Sequence, residues 1–369
     1  MSEGSSHTLP TSKPLEEVER SVRAAFLQQA IWCEQLGSPF TGLLCRTLAT
    51  RLDRATKSGR RVLEWAGQDP LYDAVPLRLA GGLHALIRKG RLPELSSYYP
   101  PQHIPEEPAL WQAVNAALHD ADPELLPWLD SPPQTNETAR SALLMSGLLV
   151  LASRMGLPFA LYEIGASAGL NLLVDRYSLC LGGLEAGAID SSLRLSPVWD
   201  GPAPPEAVVR IVRRGGADLS PVEVGNAVDR ERMMSFIWPD QSERIERMSR
   251  AISLAATDPP LIEQADAADW VESEISIKPD VGCVRVLWHS IAFQYFPETT
   301  KARIVRHIER IGAEATVDGP FAWLQFEADT VTKACPQLRL QIWPGGVLEV
   351  LAMSNNLATR VNWFGPTAV

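Results

Sequence analysis

Residues 15–155 carry apolar side chains at a helical period. One stripe precedes Gly37 and consists of Leu15, Val18, Val22, Phe26 and Ala30. Positions three or four apart share one face of a helix, so the stripe predicts an amphipathic helix that ends near the glycine. Further stretches, each bounded by proline or glycine, repeat the pattern at irregular spacing. Residues 1–135 are therefore predicted to form an all-helical domain.

The pattern changes after the stretch SPPQT at 131–135. Asn136 is predicted to cap a helix that runs toward Gly156, and short apolar runs then alternate with helical patterns. The strand candidates are LPFALYEI, AVVRIV, PLIEQA, VRVLWHS and FAWLQFEA. This alternation predicts an α/β fold over residues 136–369, with a Rossmann-like, doubly wound and mostly parallel sheet. Pro344-Gly345-Gly346 interrupts two strand-like runs and predicts a C-terminal antiparallel hairpin.

The composition restricts the classes of function. With 46 % hydrophobic and 21 % charged residues, the chain is typical of a globular protein with a sizeable core. Its net charge is −10, whereas nucleic-acid binding needs lysines and arginines that neutralise phosphates. We therefore expect a small-molecule substrate and no nucleic-acid partner, and the oligomeric state stays open.

The N-terminal residues, the longest apolar stretch and the cysteines indicate a cytoplasmic protein. The polar N-terminus MSEGSSHTLPTSKP lacks the apolar core of a secretory signal. The stretch SALLMSGLLVLAS is too short to span a bilayer, so it predicts a buried helix and no membrane partner. Five scattered cysteines show no metal-ligand spacing, so we expect reduced thiols and no metal site.

The stretch FALYEIGASAGLNLLVDRY allows three chemical interpretations. In the first, Ser167 lies between two glycines on the strained nucleophile elbow of a serine hydrolase. Asp266 or Asp269, followed by His289, would complete its triad. That fold requires several strands before the elbow, whereas the preceding residues predict helices.

The second interpretation is a dinucleotide-binding loop with the pattern G-x-G-x-x-G. Counting from Gly165, the second glycine position holds Ser167 and the third holds Leu170. The second glycine lets the backbone approach a pyrophosphate closely, and a side chain there obstructs it. The stretch therefore argues against a dinucleotide.

The third interpretation is a strand that ends in an acid and is followed by a tight turn of small residues and a helix. Here the sequence resembles the class I S-adenosylmethionine-dependent methyltransferases, whose first motif is acid-x-Gly-x-Gly-x-Gly. The matching residues are Glu163, Gly165, Ser167 and Gly169, with serine at the middle glycine position. The likeness to this fold covers about residues 158–364.

Three later stretches resemble the next strands of the same fold. In VVRIVRRGGADLSPVEV, Asp218 stands where an acid holds the ribose, although it follows Gly169 by 49 residues rather than the usual about 20. In LIEQADAADW, Asp266 and Ala267 match the acid and the amide that recognise adenine. In VRVLWHSIAFQYFP, His289 lies at the carboxyl end of the fourth strand, where ligands of open parallel sheets bind.

The methyltransferase resemblance implies S-adenosylmethionine as the cofactor and a small molecule as the methyl acceptor. It implies that Glu163 contacts the amino end of the cofactor, while Gly165, Ser167 and Gly169 form the loop along its methionine portion. His289 is the candidate general base for an acceptor that must lose a proton, because histidine has an unperturbed pKa of about 6.5.

A closer resemblance covers most of the chain. PQTNETARSALL, EIGASAGLNLLVDRY, WPDQSERIERM, LWHSIAFQYFP and the Trp-rich C-terminus are similar to one bacterial family of unassigned function, domain of unknown function 2332. In WPDQ, Pro239 is predicted to end one helix and Asp240 to cap the next. A fold does not dictate function, so a non-catalytic Rossmann-like binding module stays open beside the methyltransferase, and the serine hydrolase ranks behind both.

Overall fold

The computed structural model describes residues 14–329 and 334–366. No helix in these residues is long and apolar enough to cross a membrane. The α-helices in the described residues are α1 (Leu15–Gln35), α2 (Pro39–Arg51), α3 (Lys57–Leu63), α4 (Val75–Arg88), α5 (Pro93–Ser96), α6 (Glu107–Asp120), α7 (Asp122–Leu125), α8 (Ser141–Met155), α9 (Ala227–Ser235), α10 (Ser242–Ala255), α11 (Ala267–Glu274) and α12 (Glu298–Glu314). The strands are β1 (Phe159–Ile164), β2 (Ser178–Leu181), β3 (Leu184–Gly187), β4 (Arg194–Leu195), β5 (Val198–Asp200), β6 (Ile211–Asp218), β7 (Ile262–Gln264), β8 (Val284–Ser290), β9 (Phe321–Asp329), β10 (Ala334–Trp343), β11 (Val347–Ser354) and β12 (Arg360–Trp363).

The described chain divides into two units. One comprises residues 14–134 and the later segment Glu231–Ile245, and the other comprises residues 135–230, 246–329 and 334–366. The predicted division into domains 1–135 and 136–369 stays a prediction, and residues 1–13, 330–333 and 367–369 of these ranges lie outside the described part of the chain.

The first unit is helical, as the apolar stripes predict. Phe26 of α1, Phe40 and Leu44 of α2 and Leu79 of α4 are at most 1 % exposed and belong to one hydrophobic core. Burial of four such side chains stabilises the unit by about 1.5–3 kcal/mol each. Among the described residues no strand precedes β1, so the early strands that a serine-hydrolase fold requires are absent from residues 14–158.

Two consecutive glycines of α4 make room for aromatic rings. A Cβ atom at Gly81 would lie 2.5 Å from the ring of Phe236, and one at Gly82 would lie 2.9 Å from the ring of Trp128. The guanidinium of Arg232 lies over both rings, 4.8 Å from the Trp128 centroid and 5.3 Å from that of Phe236. In the AGGLHA stretch, Gly81 therefore packs against Phe236 of segment 231–245, and Gly82 packs against Trp128.

Asp240 of the WPDQ stretch binds the beginning of α2. One carboxylate oxygen accepts from Phe40 N at 2.8 Å, and the other accepts from Ser38 Oγ. The sequence predicted that Asp240 caps the helix that follows it; the structure shows these two bonds to the N-terminus of an earlier helix instead. That N-terminus presents unpaired N–H groups and a positive dipole end, which a carboxylate stabilises.

We expect Asp240→Ala to lower the free energy of unfolding by about 1–2 kcal/mol, because it removes a capping carboxylate from partly buried donors. Urea unfolding followed by circular dichroism measures the change. Asp258→Ala is the matched control: its surface ion pair with Arg176 should contribute less than about 1 kcal/mol. Equal losses in the two variants would contradict the capping role.

The second unit is built around a nine-stranded sheet with the order β5-β12-β11-β10-β9-β8-β1-β6-β7. The strands β7, β6, β1, β8 and β9 are parallel, and β10, β11 and β12 continue the sheet as antiparallel neighbours. The predicted mostly parallel, Rossmann-like sheet and the antiparallel hairpin around Pro344-Gly345-Gly346 are confirmed. The chain order reverses between β1 and β8, which makes the carboxyl ends of these strands the topological switch point.

The second parallel strand begins later than its sequence suggests. AVVRIV at 207–212 was the candidate, whereas β6 runs from Ile211 to Asp218 through Gly215 and Gly216. A Cβ atom at Gly216 would lie 2.8 Å from the Glu163 carbonyl oxygen, so this strand needs glycine where its neighbour β1 approaches closely. The sequence also gave no signal for the small sheet β3-β2-β4 in the long connection before β6.

Helices cover both faces of the large sheet. On one face, Ile304 and Ile308 of α12 and Trp270 of α11 share a core with Leu287 and Trp323 of the sheet. On the other face lies α8, where a Cβ atom at Gly147 would lie 2.6 Å from Leu324 of β9. Because successive side chains of a strand alternate between faces, residues paired in register with Leu324 share the α8 face.

Candidate functional site

The turn after β1 is a tight loop with three left-handed residues. Gly165, Ser167 and Gly169 have φ values of +65°, +55° and +68°, a region that favours glycine and strains serine. The loop is held by Ala166 N, which donates to the Ala217 carbonyl at 3.1 Å. Glycine at the two flanking positions therefore satisfies the backbone geometry of the turn.

The residues after this loop form two short 3-10 turns, Leu170–Arg176, instead of the α-helix that the methyltransferase resemblance implies. Leu170 N donates to Asn136 Oδ1 at 2.7 Å, so a side chain accepts the bond at the first position of this segment. The prediction that Asn136 caps the α8 segment is wrong, because the cap of the 3-10 turn that precedes α8 is Glu137. Asn136 fixes the end of the glycine loop.

Glu163 is buried beneath the glycine loop on the α8 face of the sheet. It pairs in register with Trp288 of β8, which pairs with Leu324 of β9. Its side chain is 2 % exposed, and its Oε1 accepts from Asn171 Nδ2 at 3.5 Å. Burial raises the pKa of Glu163 to about 8, opposed by the nearby amide of Asn171 and indole N–H of Trp288. Glu163 is therefore mostly protonated at neutral pH.

Buried polar atoms without a partner gather at the carboxyl ends of β1, β8 and β9. Buried side-chain atoms without a hydrogen-bond partner also occur elsewhere in the described residues, but those at this edge of the sheet are Glu163 Oε2, Ser167 Oγ, Trp288 Nε1, Gln294 Oε1 and Glu327 Oε2. Most buried polar groups in proteins are hydrogen-bonded, and each exception requires an explanation such as a ligand or water. This edge of the sheet is therefore the candidate binding site.

Asp218 ends β6 and ties the glycine loop to that strand. Its Oδ2 accepts from Ser167 N at 2.8 Å, and its Oδ1 accepts from Ser220 N at 2.9 Å. The structure thus brings Asp218 next to the loop that follows Glu163, and its contact with a ribose stays a prediction.

Asp266 caps α11 just beyond the carboxyl end of β7. Its Oδ1 accepts from Ala268 N at 2.8 Å, and its Oδ2 accepts from Thr300 Oγ1 at 3.3 Å. Ala267 is the first residue of α11 and is buried. Both residues lie at the carboxyl edge of the sheet, two and three positions after Gln264, which pairs with Asp218. Their contact with adenine stays a prediction.

His289 lies on the opposite face of the sheet from Glu163, because it follows Trp288 by one position in β8. The ring is 0 % exposed, and both of its nitrogens are hydrogen-bonded. Nε2 accepts from Trp323 Nε1 at 3.0 Å, and Nδ1 donates to Glu327 Oε1 at 2.7 Å. In this arrangement neither nitrogen is available to a substrate proton, and the role of general base stays a prediction.

Glu327 is a site residue that the sequence interpretation missed. Its Oε1 also accepts from Ala292 N and Phe293 N, each at 3.0 Å, in the turn that follows β8. That turn contains Ile291 at φ +47°, a strained conformation for a β-branched residue. The signal was an acid near the carboxyl end of the fifth strand candidate, FAWLQFEA. Glu327 and His289 together hold this turn.

The nucleophile-elbow interpretation lacks its base in the described residues. Ser167 has the positive φ of a strained turn, but its buried Oγ has no hydrogen-bond partner there. His289, the predicted third member of the triad, is bonded to Trp323 and Glu327. A serine nucleophile requires a base within hydrogen-bond reach, so this geometry supports no hydrolase.

Comparisons with known proteins agree with the family resemblance. No curated protein matches the sequence. A solved structure titled "DhpI-SAM-HEP complex" is similar at 11 % identity, over 74 % of this chain and 83 % of that chain, with a TM-score of 0.21. A family profile described as "Uncharacterized protein conserved in bacteria (DUF2332)" matches residues 23–363. The chain therefore belongs to this bacterial family, DUF2332.

Proposed function

We propose that the protein is an S-adenosylmethionine-dependent methyltransferase that acts on a small molecule. The observation that carries the proposal is Glu163: a buried carboxyl group with an oxygen that has no partner among the described residues, beneath a left-handed loop at the topological switch point. Ligands of open parallel sheets bind at this position.

The residues present fit the cofactor. Glu163 Oε2 suits the ammonium of its amino acid portion, since a buried acid gains a charge-assisted hydrogen bond from a cation. Asp218 lies at the end of the adjacent strand β6, and a carboxylate is the type of group that accepts hydrogen bonds from a ribose diol. Asp266 and Ala267 lie at the end of β7, the next strand, for the adenine.

When bound, the cofactor supplies an electrophilic methyl group. The chain's own contribution is to bind and orient: Glu163 holds a cationic end, and the loop 165–169 fixes the approach to it. Alignment of two reactants alone supplies several kcal/mol of rate acceleration. An acceptor with a free lone pair needs no general base, which agrees with the full engagement of both His289 nitrogens.

Isothermal titration calorimetry with S-adenosylmethionine and S-adenosylhomocysteine tests the cofactor. We expect saturable heat with one site per chain, and roughly tenfold weaker binding in Glu163→Gln, which cannot offer a carboxylate to the ammonium. Glu309→Gln, the same change at an exposed position of α12, is the matched control and should leave the affinity unchanged. Ser167→Ala tests the runner-up function, because a serine hydrolase would lose all activity. No heat and no thermal shift at millimolar ligand would defeat the proposal.

A non-catalytic binding module is the second candidate. The burial of His289 and its bonds to Trp323 and Glu327 favour it, because they remove the predicted base from contact with a substrate. Nucleoside binding without methyl transfer over a broad panel of small acceptors would support this candidate. Transfer of radiolabelled methyl to any acceptor would exclude it.

A further inference from the structure

Glu327 has one saturated carboxylate oxygen and one empty one. Oε1 accepts three hydrogen bonds, from His289 Nδ1, Ala292 N and Phe293 N. Oε2 is buried and has no hydrogen-bond partner in the described residues, although the residue as a whole is 9 % exposed. The hydrogen bonds on Oε1 hold the carboxyl group in place, so Oε2 has a fixed position.

The groups around Oε1 keep the Glu327 carboxyl group ionised. Trp323 Nε1 donates to His289 Nε2, so the ring N–H that points at Glu327 Oε1 is the one on Nδ1. Burial raises the pKa of Glu327, but the hydrogen bond and the electrostatic attraction of His289, together with the bonds from Ala292 and Phe293, outweigh it and keep the pKa below its usual value. A buried, ionised oxygen without a donor is unfavourable, which indicates that a cationic donor belongs there.

Aromatic rings surround the turn that Glu327 holds. The Phe293 ring stacks on His289 with centroids 4.9 Å apart, and lies 5.7 Å from Phe296 and 5.9 Å from Trp323. Phe293 and Phe296 are half-buried, so part of each ring faces outward. Aromatic faces beside a carboxylate are the chemistry that recognises ammonium groups.

We propose that Glu327 Oε2 binds a cationic amino group of the small-molecule substrate, with the rings of Phe293 and Phe296 against the adjacent carbon skeleton. This substrate class rests on the proposed function, and the amino group is the part of the substrate that Glu327 recognises. The site lies at the carboxyl ends of β8 and β9, the sheet edge that also carries Glu163.

Benzylamine and benzyl alcohol are matched probes, because they share a ring and differ in the cationic donor. Titration of each into the full chain, followed by NMR of the Trp323 indole N–H, measures binding; Trp323→Phe assigns that resonance. We expect benzylamine to bind about tenfold more tightly than benzyl alcohol, as a charge-assisted hydrogen bond implies. Equal affinities would overturn the proposal.

Glu327→Gln is the decisive variant, because its amide oxygen can still accept from His289, Ala292 and Phe293. The amide then places an N–H donor where Oε2 was, which repels an ammonium. We expect this variant to lose the preference for benzylamine, and Glu298→Gln, a change at an exposed carboxylate on the first turn of α12, to retain it. Unchanged benzylamine affinity in Glu327→Gln would overturn the proposal. Should this variant not fold, the wild-type comparison of the two probes decides alone.

The probes separate this inference from the proposed function. Each titration is run on the protein alone and again with millimolar S-adenosylhomocysteine. Nucleoside binding without a preference for benzylamine overturns the amine site and leaves the methyltransferase proposal standing. A preference for benzylamine without nucleoside binding supports the amine site and defeats the methyltransferase proposal.

Discussion

The free energy of unfolding should decrease by up to about 5 kcal/mol as the pH rises from about 5 to about 9, and Glu163→Gln should remove most of that decrease. Burial raises the pKa of Glu163 from 4.5 to about 8. Below the lower value, the residue is protonated in both the folded and the unfolded chain. Between the two values, unfolding releases a proton, so stability falls with rising pH until the folded carboxyl ionises as well.

Urea unfolding at one-unit pH intervals measures this effect in the wild type and in Glu163→Gln. The variant replaces the neutral acid with an uncharged amide of the same size, so it should match the wild type near pH 5 and exceed it near pH 9. Glu309→Gln, on an exposed position of α12, controls for the loss of one carboxylate. Parallel stability curves for the wild type and Glu163→Gln would show that Glu163 is not neutral when folded.

β8 could be predicted from the sequence, because a strand that is covered on both faces of the sheet consists of a continuous run of apolar residues. VRVLWHS was the strand candidate, and β8 spans Val284–Ser290, buried at every position. In β6, by contrast, Arg213, Arg214 and two glycines interrupt the apolar pattern. The bounds of β6 are determined by its pairing with β1, and such a tertiary contact leaves no signal in the local sequence.

The same distinction applies to the candidate site. Glu163 and the loop 165–169 were predictable because an acid, a tight turn and a strand are neighbours in sequence. The bond between His289 and Glu327 joins residues 38 positions apart, so the histidine was interpreted as a free base. Successive side chains of a strand point to opposite faces of the sheet, so His289 and Glu163 lie on opposite faces only because Glu163 pairs with Trp288. That pairing register between β1 and β8 is not visible in the sequence.

Gly165→Ala should lower the free energy of unfolding by about 2–5 kcal/mol. Two costs add: a non-glycine residue at φ +65° costs about 1–2 kcal/mol, and a methyl group forced into a packed site costs about 1–3 kcal/mol. The added Cβ would lie 2.6 Å from Ala292 Cβ, in the turn that Glu327 holds. Urea unfolding measures the loss. Gly156→Ala, at φ +65° with no atom within 4 Å of its Cβ, should show only the first cost.

A second substitution distinguishes the steric cost from the conformational cost. Ala292→Gly removes the methyl group that the new side chain would meet, so the double variant Gly165→Ala with Ala292→Gly should recover about 1–3 kcal/mol relative to the sum of the single changes. Recovery of that size would show that the loop after β1 and the turn after β8 pack directly against each other. If the losses of the two single variants simply add, the turn moves away from the new methyl group without a cost in free energy. In that case the bonds from His289, Ala292 and Phe293 to Glu327 would not hold the turn against the glycine loop.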